Sequence, residues 1–284
     1  MKARILAALA LLSAVGCDVP SEPHAADVNL KLIQGPILLG KIVYTLNGSE
    51  VWIMDANGDN ARYVTSGYQG VLSPTGDVVA FVRRVNGTAQ IFTKNLNDHH
   101  SGRQLTFGTM SDKSYPAWSP DGYQIVYNGY ADSQLWVMNL RGNNQRLLYD
   151  ASAAVAQIAA WSPDGTKIAF RDGGNIRIVN ADGTGPVATP TLFHLGSWSH
   201  PSWSPDGSRI AMEGNQTGQK DIYTMNADGS GLVQITSDPG NDLQPSWGPN
   251  GIAYANGNDI FVWSLGSVIQ ITSGKAAEGD PDWR

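Results

Sequence analysis

Short apolar runs separated by turn residues fill the chain from about residue 40 to its end. Each run is four to six residues long, and glycine, proline, asparagine, aspartate and serine cluster between the runs. This pattern is typical of buried strands joined by tight turns. In one stretch the runs lie at 115–118, 124–128, 134–139 and 145–149. No segment before these runs is long, periodic and capped enough to predict a core helix. The pattern therefore predicts an all-β protein.

The pattern repeats at a nearly fixed interval. Trp-Ser-Pro-Asp-Gly stands at 118–122, 161–165 and 203–207, and weaker copies stand at 72–76 and 247–251. A last tryptophan, Trp283, precedes the final residue. The interval of about 40–45 residues is the size of a four-stranded propeller blade.

The repeated motif has a structural meaning of its own. Serine opens a turn, proline presets φ, aspartate takes the third position and glycine supplies the positive φ that ends the turn. The tryptophan before it ends a strand and offers a large apolar face to the neighbouring sheet. Turn chemistry therefore explains the recurring Asp121, Asp164 and Asp206, and a catalytic role for them is the weaker alternative.

The two ends of the repeat array complement each other. The runs at 41–45, 50–55 and 61–65 match the second, third and fourth strands of a blade, with no tryptophan strand before them. The chain ends with a tryptophan strand that has nothing after it. We predict that this last strand completes the first blade and closes a six-bladed β-propeller of four-stranded antiparallel blades over residues 38–284. Such closure removes exposed sheet edges.

The amino terminus predicts export. Lys2 and Arg4 precede an apolar run that ends in small residues, which is typical of a secretory signal over residues 1–16 and too short for a stable membrane span. The segment 14–17 resembles a bacterial lipobox and would make Cys17, the single cysteine, the lipidated first residue. Ordinary cleavage to a secreted or soluble periplasmic form is the alternative. Residues 17–37 read as the lipidated cysteine and a flexible tether.

Charge narrows the range of partners. Without Lys2 and Arg4, 17 basic residues face 25 acidic ones, so the net charge is −8 with histidines neutral. No basic stripe stands out, and we therefore expect no nucleic-acid binding.

The repeats resemble those of the TolB family, in its carboxyl-terminal propeller. The residues that carry the resemblance are Pro-x-Trp-Ser-Pro-Asp-Gly at 116–122 and 201–207, Asp-Ile-Tyr-Thr-Met-Asn-Ala-Asp-Gly-Ser at 221–230, and Gln-Ile-Thr at 234–236. The resemblance implies a non-enzymatic envelope protein whose propeller docks a Pal-like partner. The family also has an α/β domain of more than a hundred residues before the propeller, which contacts TolA, whereas only a tether of about twenty residues stands here. Coupling to TolA is therefore not carried over.

Alignment of the six repeats reveals a set of positions that varies from blade to blade. Three residues before each tryptophan-type anchor stand the six ring positions: Gln69, Tyr115, Ile158, His200, Gln244 and Asp280. The first strand of a blade lies innermost in propellers of this kind, so we expect these side chains at one mouth of the central channel, the ring mouth. Pockets at such mouths are common binding places. The alternative is that strand starts at a wet channel are simply polar.

Two residues in the loop before the fourth anchor add to this site. Trp198 and His194 stand there, and an exposed tryptophan beside a channel mouth would suit a binding hot spot. The alternative for Trp198 is packing between blades.

The sequence contains little that is typical of a catalytic or metal site. The sequence has no Gly-x-Ser-x-Gly elbow and no His-Glu-x-x-His or Cys-x-x-Cys pattern. His99 and His100 are adjacent in a hairpin, where neighbouring side chains point apart. Residues 55–60 resemble a calcium loop, but the glycine is misplaced and Ser66 stands where the bidentate glutamate belongs. We expect no cofactor, and leave open an ion in the channel.

These observations lead to a ranked set of functions. The leading hypothesis is a monomeric, periplasm-facing lipoprotein of the inner or outer membrane that docks an envelope protein or a peptidoglycan-associated partner at the ring mouth, using Gln69, Tyr115, His200, Gln244, Asp280 and Trp198. The alternative is a propeller that acts on a small ligand or glycan through His200, Asp280 and Tyr115. A structural role in an envelope complex, with no ligand of its own, is the third.

Overall fold

A computed structural model describes residues 36–100, 102–109, 111–129, 133–151, 156–184, 196–274 and 276–284. These residues form six antiparallel sheets of a β-propeller and no helix. The predicted leader, tether and Cys17 lie outside the described residues, and so does His194. In this part of the chain no helix is long and apolar enough to cross a membrane.

The sheets follow one another along the chain as blades. Blades 1 to 3 contain β1 (Lys41–Leu46), β2 (Glu50–Asp55) and β3 (Arg62–Ser66); β4 (Tyr68–Leu72), β5 (Val78–Val85), β6 (Thr88–Asn95) and β7 (Arg103–Gln104); and β8 (Lys113–Trp118), β9 (Gln124–Gly129), β10 (Gln134–Asn139) and β11 (Arg146–Asp150). Blades 4 to 6 contain β12 (Ala156–Trp161), β13 (Lys167–Asp172) and β14 (Asn175–Asn180); β15 (Trp198–Trp203), β16 (Arg209–Gly214), β17 (Asp221–Asn226) and β18 (Val233–Gln234); and β19 (Asp242–Gly248), β20 (Gly251–Asn256), β21 (Asp259–Ser264) and β22 (Ser267–Gln270). Blade 4 shows three strands among the described residues.

The carboxyl-terminal strand closes the ring as predicted. Strand β23 (Glu278–Trp283) pairs antiparallel with β1, which makes the order of the first sheet β23-β1-β2-β3. The backbones of Lys41 and Arg284 exchange both N–H···O=C bonds, at 2.7 and 2.9 Å. The fold class and the closure of the first blade are therefore confirmed.

The apolar runs reflect burial on both faces of each blade. The second strands are almost continuously apolar because each sheet is sandwiched between two others. In β1, Ile42 packs toward blade 6 with Ala253, and Val43 packs toward blade 2 with Phe81. The core is thus a series of clusters between successive blades.

The Ser-Pro-Asp-Gly motifs form the predicted turns. In the blade-3 copy the Ser119 hydroxyl donates to Asp121 at 2.5 Å and accepts from the Gln124 N–H at 2.9 Å. The copies at Ser162 and Ser204 bond in the same way. The serine hydrogen bond lowers the pKa of Asp121, and that of Asp206 to about 2. The aspartates therefore hold the turn together.

Candidate functional site

All six ring positions share an unusual backbone conformation. Their φ angles lie between 48° and 56°, in the left-handed region. This region is sparsely populated by residues other than glycine, and a β-branched residue such as Ile158 is a genuine outlier there. Each first strand has a register shift against its neighbour at this point. The ring residue is therefore the extra residue of a β-bulge, a device that re-aims a side chain.

The sequence carries a signal for this bulge. Proline follows the ring residue in four of the six blades, at Pro116, Pro201, Pro245 and Pro281. Proline has no N–H to contribute to the ladder, and it disfavours the right-handed helical conformation of the residue before it. The recurring proline marks the place where each inner strand leaves regular pairing.

The bulges direct the six side chains into one cavity of about 150 Å³ at the ring mouth. The prolines after the bulges, Asp282, Arg284 and the anchors Trp161, Trp203 and Trp247 also line it, so the cavity extends from the ring mouth along the channel. This volume is enough for a small polar group or a few water molecules. The structure thus brings together the six positions that the sequence alignment selected.

Each bulge turns a backbone N–H away from the ladder, and for five of the six, among the described residues, a side chain of the preceding blade accepts it. Thr45 Oγ1 accepts from Gln69 at 3.0 Å, Asn128 Oδ1 accepts from Ile158 at 3.0 Å, and Glu213 Oε2 accepts from Gln244 at 2.9 Å. The three acceptors occupy the same position on the second strands β1, β9 and β16. A buried N–H without an acceptor is costly, so these bonds stabilise the contacts between blades.

In two blades an apolar residue, Val82 or Ala255, stands at that position and cannot accept. In both of them the ring residue itself is a glutamine. Gln69 Oε1 accepts the Tyr115 N–H at 2.9 Å, and Gln244 Oε1 accepts the Asp280 N–H at 2.9 Å. The two glutamines thus substitute for the missing second-strand acceptors. Their polarity is explained by structure, as the alternative interpretation of polar strand starts anticipates.

His200 faces a buried carboxylate. Its Nδ1 lies 3.2 Å from Oε2 of Glu213, and Lys220 Nζ lies 2.9 Å from Oε1 of the same carboxylate. Burial alone would raise the pKa of Glu213, but the hydrogen bond and charge of His200, with the contributions of Lys220 and the Gln244 N–H, hold that pKa down to about 2. Glu213 is therefore a fixed negative charge that orients the His200 ring.

Asp280 has the opposite electrostatic character. Burial raises its pKa, while the charge of His200 and hydrogen bonds with Thr45 and Gln244 counteract this rise. Gln244 Nε2 donates to Asp280 Oδ1. The site therefore pairs one carboxylate that holds its charge with another that takes up a proton more readily.

Tyr115 lies against His200. The two ring centroids are 6.2 Å apart at an interplanar angle of 76°, an edge-to-face arrangement. The residues come from blades 3 and 5, and Ile158 of blade 4 lines the cavity with them. The aromatic contact therefore joins blades 3 and 5 across the ring position of blade 4.

The structure decides between the two alternatives for Trp198. Its side chain is fully buried and packs edge-to-face on Tyr223, with ring centroids 5.2 Å apart. A Cβ atom on Gly214 would lie 2.3 Å from the indole, so the glycine makes room for it. The prediction of Trp198 as an exposed binding residue is wrong, because its place is between blades 4 and 5.

The other end of the channel is an aromatic and proline collar. A depression of about 360 Å³ is lined there by Trp118, Trp161, Trp203, Trp247 and Trp283, by the prolines of the repeated turns and by Arg284. The chain enters the propeller at this end: the Leu39 N–H donates to Asn250 Oδ1 at 3.3 Å. The Trp283 indole donates to Leu39 O at 2.6 Å.

The weak metal patterns form no ligand set. Among the described residues no group of three or more histidine, cysteine, aspartate or glutamate side chains is placed to hold a metal ion. In the loop that resembles a calcium site, Asp55 bonds to Lys41 at 2.7 Å and to Asn60 at 2.6 Å, as in a surface turn. His100 lies 3.7 Å from Asp98 on the surface.

Comparison with known proteins identifies the family. The model of the TolB beta propeller domain matches residues 37–193 and 179–260. The chain belongs to the TolB propeller family. A relative, the Tol-Pal system protein TolB of Anaeromyxobacter dehalogenans (strain 2CP-C), is 30% identical over 171 residues, which are 60% of this chain and 29% of that protein. The corresponding protein of Anaeromyxobacter sp. (strain K) is 31% identical over the same lengths.

Solved structures agree on the fold. TolB from Acinetobacter baumannii has a TM-score of 0.73 at 20% identity, covering 86% of this chain and 66% of that one. A chain of a nidogen/laminin complex has a TM-score of 0.71 at 11% identity, covering 85% and 97%. At such identities the likeness concerns the fold alone. The present chain covers under a third of the length of the Anaeromyxobacter relatives.

Proposed function

We propose that this TolB-family propeller is a non-enzymatic binding module of the cell envelope, which docks a protein or peptidoglycan-associated partner at the ring mouth. The supporting observation is that Tyr115, His200 and Asp280 stand on bulges and line one cavity. None of the three side chains accepts the ring N–H of the next blade, as Gln69 and Gln244 do. The need for an N–H acceptor between blades accounts for Gln69 and Gln244 but not for these three side chains. Residues that vary around a rigid frame are the ones available to encode a partner.

The names of the relatives support a setting in the cell envelope. Proteins called Tol-Pal system protein TolB match 60% of this chain, and we infer that it acts in the same envelope context, with a Pal-like partner. We also propose a periplasm-facing lipoprotein anchored through Cys17.

Two experiments test these parts separately. Fractionation should find the native protein with the membranes and Cys17→Ala in the soluble fraction; equal distribution of both would contradict the anchor. For binding, the protein is cross-linked and recovered from intact envelopes, as the native chain and as a Tyr115→Ala, His200→Ala, Asp280→Ala triple variant.

The binding experiment has a matched control in the collar. A variant with Tyr123→Ala, whose tyrosine is 70% exposed in a collar-end turn, should keep the partner, and the triple variant should lose it. Capture of the same partner by the triple variant would contradict docking at the ring mouth. Equal unfolding temperatures exclude misfolding as the cause.

One observation favours a second candidate function. The raised pKa of Asp280 near His200 is the kind of perturbed pair that acid–base catalysts use. Under this alternative the propeller acts on a small ligand or glycan. Turnover of acidic oligosaccharides that His200→Ala and Asp280→Asn both abolish would support it, and an inert native protein would contradict it.

A further inference from the structure

Arg171 breaks the pattern of acceptors between blades. It occupies the position on β13 that Thr45, Asn128 and Glu213 occupy on their own second strands, where each accepts the ring N–H of the next blade. The next ring residue after Arg171 is His200. A guanidinium has only donors and cannot accept an N–H. Among the described residues, no side-chain oxygen accepts the His200 N–H.

The side chain of Arg171 faces blade 5. Ala169 lies two residues earlier on the same strand, and therefore on the same face. It packs in one cluster with Trp198 and Trp203 of blade 5. Arg171 thus extends toward the blade that carries His200.

The positive charge of Arg171 is half-buried and has few hydrogen-bond or ion-pair partners among the described residues. No carboxylate of the described residues lies within ion-pair distance of it. Its two hydrogen bonds, to Gln157 Oε1 and to Gly173 O, are both 3.4 Å long, beyond the usual range for N–H···O bonds. Its Nε is buried and has no acceptor among the described residues. Burying a charge without a partner is costly.

His200, on the facing blade, has a ring nitrogen without a hydrogen-bond partner among the described residues. Its Nδ1 faces Glu213, and its Nε2 is buried with no hydrogen-bond partner in the described part of the chain. The Arg171 guanidinium on blade 4 and the backbone N–H and Nε2 of His200 on blade 5 therefore all lack a strong acceptor among the described residues. A carboxylate is the strongest acceptor for a guanidinium, because it accepts two parallel N–H···O bonds from it.

We propose that Arg171, with the His200 N–H, binds a carboxylate group of the ligand. The ligand's oxygens would then supply at this junction what Thr45, Asn128 and Glu213 supply at theirs. This inference rests on the proposed binding at the ring mouth and gives the ligand its chemistry. The carboxylate comes from an acidic side chain of a protein partner or from a free organic acid.

Acetate is the probe for the shared chemistry. The ¹⁵N-labelled full chain is titrated with sodium acetate at constant ionic strength, against sodium chloride, and the signals of the His200 amide and the Arg171 side chain are followed. We expect saturable shifts with acetate and none with chloride. Arg171→Gln should weaken binding at least tenfold, and Arg171→Lys should retain a weaker saturable shift. Arg62→Gln, which alters an exposed arginine on the outer strand of blade 1, should bind as the native chain does.

A second arm distinguishes the sources. An acetylated, amidated Gly-Asp-Gly peptide is compared with its Gly-Asn-Gly counterpart and with acetate. Tighter binding of the aspartate peptide than of acetate supports a protein partner, and the reverse supports a free acid. Equal binding of the aspartate and asparagine peptides, or absence of a saturable acetate shift in the native chain, overturns the proposal.

The two proposals can fail independently. If the triple ring variant loses its partner while acetate never binds at Arg171, the carboxylate site is wrong and docking at the ring mouth stands. If acetate binds through Arg171 and the triple variant keeps its partner, the carboxylate site stands and the docking proposal is wrong.

Discussion

At the scale of single residues, the ring positions divide into side chains that accept a backbone N–H of the next blade and side chains that do not. Gln69 and Gln244 accept N–H groups that Val82 and Ala255 cannot accept. Sequence comparison of the blades finds the six positions but not this division, because the acceptor lies on another strand of another blade. Once the structure gives that pairing, the glutamine in blades 2 and 6 follows from the apolar residue in the same blade.

This compensation makes a double-mutant prediction. Gln69→Leu should lower the free energy of unfolding by about 1–2 kcal/mol, because the Tyr115 N–H loses its acceptor. Val82→Thr, which copies Thr45, should destabilise the native chain but stabilise the Gln69→Leu variant. Urea unfolding of the four proteins measures this cycle. An equal cost of Val82→Thr in both backgrounds would contradict the compensation.

Glu213 predicts a specific acid sensitivity. Its pKa falls from an ordinary value of 4.5 to about 2 on folding, so it stabilises the fold above pH 4.5, and this contribution is lost as pH falls through 2. The shift corresponds to at most about 3 kcal/mol. Folding raises the pKa of Asp280, so its contribution to the free energy of unfolding has the opposite sign and increases as the pH falls.

Urea unfolding at pH 5 and pH 2.5 tests this effect. Glu213→Gln keeps an acceptor for the Gln244 N–H but removes the charge, so it should lose less stability between the two pH values than the native chain. Asp238→Asn, at an exposed carboxylate, should behave as the native chain does. Equal acid losses in Glu213→Gln and the native chain would contradict the role of the charge.

At the scale of elements, the inner strand of each blade combines a bulge, an anchor and a turn. The turn and the anchor are predictable from sequence, because Ser-Pro-Asp-Gly and tryptophan have local chemical reasons. The bulge is only partly predictable from sequence. A proline after the ring residue indicates it in four blades, but in the other two Gln69 and Ile158 are followed by Gly70 and Ala159, which give no such signal. The position of Trp198 depends on packing between blades, which no local pattern contains.

The closing strand depends on a close packing contact. A Cβ atom on Gly248 would lie 2.0 Å from Cδ2 of Trp283, so the anchor of the last strand fits only over a glycine. Gly248→Ala should cost about 3 kcal/mol by overpacking. Gly274→Ala, where the nearest heavy atom is 3.8 Å away, should stay within about 0.5 kcal/mol of the native chain. Similar unfolding midpoints for the two variants would contradict this account of closure.

At the scale of the whole molecule, the fold follows from repetition and the function does not. Six blades and their closure are predictable because the period, the late start and the final tryptophan strand agree with one another. The six ring positions vary between blades, whereas the tryptophans and prolines of the collar recur. The variation makes the ring mouth the proposed binding face.

The most direct test of this claim compares the two ends within one blade. A photo-reactive phenylalanine analogue is placed at Tyr115, in the ring mouth, or at Tyr123, in the turn at the collar end, and intact envelopes are irradiated. The account predicts a discrete cross-linked partner from Tyr115 and none from Tyr123. A partner cross-linked from Tyr123 alone would place binding at the collar and contradict the account.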